Sequence, residues 1–232
     1  MLIWLVLIPL IAAALIGLCK APARPTALLS ASLTLALGIW ALVSFDGCSS
    51  CWSRFEGMDL QLTLAPALSK VMLLLTILVT FATVLGTNPP QGGEASWYNS
   101  ALLISAGATG AFLSDNIISF FAFHELALIP TFVMIGLYGR GDRRTTAWRA
   151  TLYLGLASMV LLAALLMIGT QAGFTFSGLK DFMASGRELA HAELIGALLI
   201  AGFGTLISLF PFHSRAAPAY ASAPAPVAMM HA

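Results

Sequence analysis

Leu2 to Cys19 reads LIWLVLIPLIAAALIGLC, eighteen residues without a charge, and runs of the same kind recur to the end of the chain. A helix needs roughly 20 mostly apolar residues to cross the hydrocarbon of a bilayer. Seven segments have that character: 2–19, 26–45, 67–86, 100–114, 117–138, 148–169 and 192–212. Only Asp115 and Asn116 separate the fourth from the fifth, so those two residues predict a tight interfacial turn. Nothing in the runs alternates with a period of two, which argues against a membrane β-barrel. The expected fold is an all-α polytopic helical bundle filling residues 1–232 as one transmembrane domain.

Composition agrees. Of 232 residues 59% are hydrophobic and 9% charged, and mean hydropathy is +0.92, whereas a soluble domain carries about 25% charged residues. A soluble globular fold is excluded, and so is disorder, which needs charge and few apolar residues. Net charge is +1 with no basic stripe, so no nucleic-acid partner is expected. The first apolar run lacks a positive residue ahead of it and a small-residue cleavage pattern behind it, and reads as a retained helix rather than a signal peptide.

Lys and Arg in the loops set orientation. Alternate loops hold Lys20, Arg24, Arg140, Arg143, Arg144, Arg149 and Arg215 on one side, against Arg54, Lys180 and Arg187 on the other. The first set, dominated by the Arg140–Arg149 loop, is expected in the cytoplasm, with the N-terminus outside. The outer loop from Asp46 to Pro66 then carries Cys48 and Cys51. An oxidising face permits a disulfide between them, and a local staple or two idle thiols is the plain reading. No second cysteine pair completes a metal site, and Cys19 reads as packing.

Ionisable groups inside a span cost roughly 2.5–3.5 kcal/mol at mid-helix, which makes each a functional candidate. Glu125 stands eight residues into the fifth segment, about 12 Å from its start at 1.5 Å per residue. Positions three and four away are Phe121, Ala122, Leu128 and Ile129, so a charged partner is expected from another helix, a subunit or water. A carboxyl out of water is costly to ionise, which suits a proton carrier; a permanently neutral, hydrogen-bonded acid is the structural alternative. His124 projects about 100° away and reads either as a titrating group or as a packing imidazole. Pro130 removes the intrahelical partner of the Leu126 carbonyl and predicts a kink. Lys70, one turn into the third segment, either snorkels to the outer interface or pairs inward with a carboxylate. His213 reads as a proton-path residue or an interfacial anchor, and Glu193 and His191 as interfacial.

From Phe210 the chain reads FPFHSRAAPAYASAPAPVAMMHA, with prolines at 211, 218, 224 and 226. Irregular backbone at membrane depth is tolerated only where protein shields it or it lines a cavity. The run predicts the start of a broken eighth helix over 220–232, the device transporters use at ion sites.

Two motifs carry a family resemblance. The pattern FFAFHELALIPTFVMIGLYG, with Phe120, Phe121, Phe123, Glu125, Leu128 and Pro130, followed by a basic loop and a long apolar helix, is one. The second is the run of Pro211, Phe212, His213, Pro218, Tyr220, Ala223, Pro224, Val227 and His231. Together they resemble the antiporter-like membrane subunits of NADH-quinone oxidoreductase (respiratory complex I), most of all subunit M, also called chain 4. The resemblance implies a membrane-arm subunit that helps move protons while partner subunits, holding FMN, iron–sulfur clusters and quinone, oxidise NADH. It implies other membrane subunits and the lipid bilayer as partners, the bacterial inner membrane as location, and proton handling by Glu125, His213, His124 and Lys70, with Pro130, Pro211, Pro218 and Pro224 as hinges. The sequence has no cluster-ligand cysteines and no dinucleotide fingerprint, so no cofactor is expected on this chain and no redox step. The family has about fourteen helices with inverted repeats, and this sequence is expected to be its N-terminal half. Two positions depart from the pattern: Leu206 stands where relatives carry a Lys, and Arg215 where they carry a Trp. A subunit of a multisubunit cation/proton antiporter, a membrane-bound hydrogenase subunit, and a truncated structural subunit that does not transport are the alternatives. A retinal protein is excluded, because the seventh segment has no Lys.

Overall fold

The computed structural model describes residues 2–44, 49–55, 58–64, 67–89, 92–210, 213 and 216–231. Cys48 and Pro211 lie outside them, so the possible Cys48–Cys51 disulfide and the second of the hinge prolines do too. The described chain is a helical bundle with one small exception: α1 (Ile3–Gly17), α2 (Ala23–Ser44), β1 (Ser49–Phe55), β2 (Met58–Thr63), α3 (Ala67–Gly86), α4 (Glu94–Leu113), α5 (Ile117–Tyr138), α6 (Arg143–Ala172), α7 (Phe176–Ala184), α8 (Ala192–Leu206), α9 (Ala216–Ser222) and α10 (Ala225–His231). By length and apolarity α2, α3, α5 and α6 can each cross a membrane, while α1 and α8 are apolar helices of 15 residues.

Several helix limits differ from the expected spans. The fourth helix begins at Glu94 rather than 100, because the polar turn Glu94–Asn99 folds as helix and is anchored: Trp97 and Tyr98 are buried, and the Tyr98 hydroxyl donates to the Thr87 carbonyl at 3.1 Å. The sixth runs from Arg143 to Ala172, extended at its start by Asp142, whose carboxylate accepts from the Thr145 amide at 3.3 Å. The seventh stops at Leu206, six residues short of 212. Ser208 turns left-handed at φ 58°, and the residue before Pro211 is itself disfavoured in the helical region. Between α2 and α3, β1 pairs antiparallel with β2, from Ser49 opposite Thr63 to Phe55 opposite Met58.

α4 is the axis on which α1, α2, α3 and α5 pack. Without a hydrophobic drive between helices in lipid, close approach relies on small residues, and α4 supplies Ala101, Ala106, Gly107, Gly110 and Ala111. A Cβ on Gly107 would stand 2.7 Å from the Phe123 carbonyl and the Ala127 nitrogen, and one on Gly110 would collide with the Phe123 ring. Those two glycines let the backbone of α5 lie directly against α4. Outward faces carry Leu29, Val71, Leu75, Leu156 and Ile200, all exposed, as a hydrocarbon surround requires.

Contacts sort the loops into two ends. At one, Leu62 of the hairpin bridges Ser114, and Asn116 bridges Thr175. At the other, the Tyr138 hydroxyl donates to the Gly93 carbonyl at 2.6 Å, and Arg140 meets Ser222. The Asp115–Asn116 turn does more than connect. Asn116 caps α5 by accepting from the amides of Ile118 and Ser119, and Asp115 accepts from the Ser177 hydroxyl at 2.6 Å, fastening α7 across the loop.

Candidate functional site

α5 brings the candidate groups to mid-bundle. Its Asn116 cap fixes where the helix begins, so Glu125 sits two turns in, at the depth its position in the sequence sets. The helix continues through buried Pro130 to Tyr138, and the Thr131 hydroxyl donates to the Ala127 carbonyl at 3.0 Å, supplying a local bond beside the proline.

The aromatic run orients the turn that bears Glu125. Phe123 faces Gly110 of α4. Phe120 meets Phe176 of α7 edge-on at 5.7 Å and Phe203 of α8 at 6.5 Å. The His124 ring lies 6.3 Å from that of Phe120 and 6.4 Å from that of Phe121. Contrary to the expectation of a partner from elsewhere, the titratable group beside Glu125 comes from the same helix. His124 Nδ1 is 3.5 Å from Glu125 Oε1, with the side chains 20% and 31% exposed. The backbone does point the two residues apart, but their side chains turn toward one another. Both atoms are shielded and neither has a hydrogen-bond partner.

The other expected groups are dispersed. Lys70 is half-buried on the first turn of α3. His213 is exposed between α8 and α9, its ring stacked on Phe210 at 5.5 Å. Pro218 falls in the first turn of α9, where a missing N–H costs nothing, and Pro224 marks the interruption between α9 and α10. The broken segment is therefore two short helices from Ala216, rather than one starting at 220. Leu206, at the Lys position of the resemblance, packs against the apolar cluster of Ile117, Leu161, Leu165, Ile168 and Ile195, as do Phe120 and Phe121.

Two features escaped the sequence reading. The helix interruption is tied to the α5–α6 loop: the Arg140 amide donates to the Ser222 carbonyl at 2.7 Å, and the Ser222 hydroxyl donates to the Arg140 carbonyl at 2.8 Å. Nothing short of the fold could pair residues 82 positions apart. The second feature is a set of buried hydroxyls without partners: Ser30, Thr83, Thr87, Ser105 and Thr109. The four-residue spacing of Ser105 and Thr109 was a signal that one face of α4 is polar.

A helical membrane bundle with a carboxyl inside one helix, and a proline-broken helix tied to the loop that follows that helix, resembles the arrangement of ion-translocating membrane subunits. Residues 114–232 match the model of the family described as NADH:quinone oxidoreductase/Mrp antiporter, transmembrane, and the chain belongs to that family. It is similar to NAD(P)H-quinone oxidoreductase chain 4 2 of Microcystis aeruginosa, 30% identical over 169 residues covering 70% of this chain and 30% of that protein. It is also similar to F(420)H(2) dehydrogenase subunit M of Methanosarcina mazei, 24% identical over 237 residues covering 95% of this chain and 48% of that one. The fold matches a chain of respiratory complex I from Thermus thermophilus with TM-score 0.84 at 24% identity, covering 98% of this chain and 49% of that one. The chain thus spans about half or less of the length of these relatives.

Proposed function

We propose that this chain works as a membrane-arm subunit of an NADH-quinone oxidoreductase and contributes to proton translocation coupled to NADH oxidation and quinone reduction. Electron transfer belongs to partner subunits, which hold NADH, FMN, iron–sulfur clusters and quinone; this chain has no redox step of its own. Other membrane subunits and the bilayer of the bacterial inner membrane surround it, with the N-terminus outside and the Arg140–Arg149 loop cytoplasmic. The observation that carries the reading is a mid-helix carboxyl, Glu125, in a chain of this family, five residues before a buried proline. Glu125 takes up the proton. His213 relays it, Lys70 supplies positive charge on α3, and Pro130 with the interruption at Pro224 allows the helices to shift.

The experiment is Glu125→Gln in the assembled complex, with NADH-driven proton uptake measured in inverted membrane vesicles. Uptake falls, while the subunit content of the complex is unchanged. Undiminished uptake would overturn the reading and leave a structural, non-transporting role. The family description also names Mrp antiporters, which favours one second reading: a subunit of a cation/proton antiporter. Co-purification without peripheral redox subunits, and cation-dependent proton exchange insensitive to NADH, would select it.

A further inference from the structure

Glu125 and His124 each bury a polar atom that nothing satisfies, and the two atoms face one another: Nδ1 is 3.5 Å from Oε1, and neither has another hydrogen-bond partner. A shielded carboxyl oxygen without a donor and a shielded ring nitrogen without a partner are both costly in an apolar setting. One proton between them relieves both at once, and a few tenths of an ångström of side-chain rotation closes the pair to hydrogen-bond length.

Among the described residues, the charged groups on the helices packed against α5 lie toward the ends of those helices. Phe120 and Phe121 flank the imidazole, Phe203 lies against Phe120, and α4 faces this stretch of α5 with Gly107 and Gly110. Among the described helices packed on α5, α4 carries Glu94 and α6 carries Arg143, Arg144 and Arg149, all within two turns of their helix starts. That is the end where α5 finishes, about 20 Å along the axis from Glu125 at 1.5 Å per residue, with Arg149, six residues into α6, about 9 Å nearer. Arg143 is in addition bound to the Leu137 carbonyl at 2.6 Å. On the two elements that reach Phe120, the charges are Lys180 and Asp181 of α7 and Glu193 in the first turn of α8. Leu206 packs into the same apolar cluster as Phe120 and Phe121, so the site receives no ammonium from there.

We propose that His124 is the resident cation of the Glu125 site, so that the two side chains hold and pass one proton as a single unit carried on α5. Transfer within the unit breaks the Oε1–H bond and forms Nδ1–H, converting neutral acid and imidazole into carboxylate and imidazolium with no change in net charge. The imidazole takes a proton at one nitrogen and releases one from the other. The counter-charge of Glu125 therefore moves with its own helix, and α5 can shift against α6 and α8 without separating the pair. This assignment rests on Glu125 being a proton carrier, and the test separates the two ideas.

In the assembled complex, His124→Phe, His124→Gln and His124→Lys are compared with Glu125→Gln for NADH-driven proton uptake, and the carboxyl stretching band of Glu125 is followed by infrared difference spectroscopy. The band is assigned by its loss in Glu125→Gln. His124→Phe is expected to lower uptake as far as Glu125→Gln does, and to shift the band. His124→Lys, which restores a cation, is expected to keep most of the uptake. If Glu125→Gln lowers uptake while His124→Phe leaves both uptake and band unchanged, the pairing is overturned and the carrier role of Glu125 stands. Should His124→Phe fail to assemble, the band in His124→Gln decides: a band at the wild-type position overturns the pairing, and a shifted one supports it.

Discussion

At the scale of single residues, contact distances decide more than residue type. Gly107 is an ordinary small residue in sequence, yet in the bundle its Cα hydrogen faces two backbone atoms of α5. A side-chain carbon there would stand 2.7 Å from both the Phe123 carbonyl oxygen and the Ala127 nitrogen. Backbone cannot step aside as a flexible side chain can, so the helices must separate on the turn that carries Glu125. Overpacking of this kind costs about 1–3 kcal/mol. Gly107→Val is expected to lower the thermal midpoint of the detergent-solubilised protein and to reduce proton uptake together; an unchanged midpoint would show that α4 and α5 are not in backbone contact. Glu125 itself was legible in the sequence as a candidate, because an ionisable side chain inside a 22-residue apolar helix is costly in hydrocarbon whichever role it has. Its relation to His124 was not. Adjacent helical residues diverge by about 100°, and only the rotamers chosen under the Phe120–Phe121 collar bring the two side chains together.

At the scale of elements, the apolar runs placed the main helices, since a segment that must satisfy all its backbone groups internally in lipid has few other options. The limits were harder to read because they depend on caps and partners. Glu94–Asn99 looked like loop by polarity and folds as helix through the burial of Trp97 and Tyr98. The hairpin and the small helix α7 were hidden for the same reason: neither is apolar enough to be seen as a span. The link between the broken helix and the α5–α6 loop also belongs here. Two hydrogen bonds join Ser222 to Arg140, one through the serine hydroxyl and one between backbones, and α10 beyond the break packs on α3 and α5. The break at Pro224 is thereby joined by contact to the end of the helix that carries Glu125. Ser222→Ala removes one of the two bonds, worth about 1 kcal/mol. Amide hydrogen exchange around Arg140 is then expected to quicken several-fold while exchange at mid-α5 stays as before. Exchange at wild-type rate would mean that the backbone bond alone holds the junction.

At the scale of the whole molecule, the bundle has an apolar exterior and a partly polar interior on the side of α4 away from α5. Ser30 of α2, Thr83 of α3, and Ser105 and Thr109 of α4 are buried, and their hydroxyls have no protein partner. Beside them a cavity of about 270 Å³ opens between α3, α4 and α10, lined in part by Thr76, Thr80 and Ser105. Buried hydroxyls are seldom left without a bond, and ordered water is the usual partner where room exists. Thr76 shows the alternative, since its hydroxyl donates to the Met72 carbonyl at 2.8 Å; Ser105 and Thr109 make no such bond to their own helix. Water bound between α3 and α4 follows, as a second polar file separated from Glu125 by the thickness of one helix. A high-resolution density map of the assembled complex should contain ordered water within hydrogen-bond distance of Ser105 or Thr109. Thr109→Val supplies the energetic counterpart. If the hydroxyl binds water, losing it costs about 1 kcal/mol of stability; if the site is dry, the isosteric methyl removes a desolvated polar group and raises stability by about 1–3 kcal/mol. The wet interior predicts a lower thermal midpoint for the variant, and a higher one would show that this side of the bundle is closed to water.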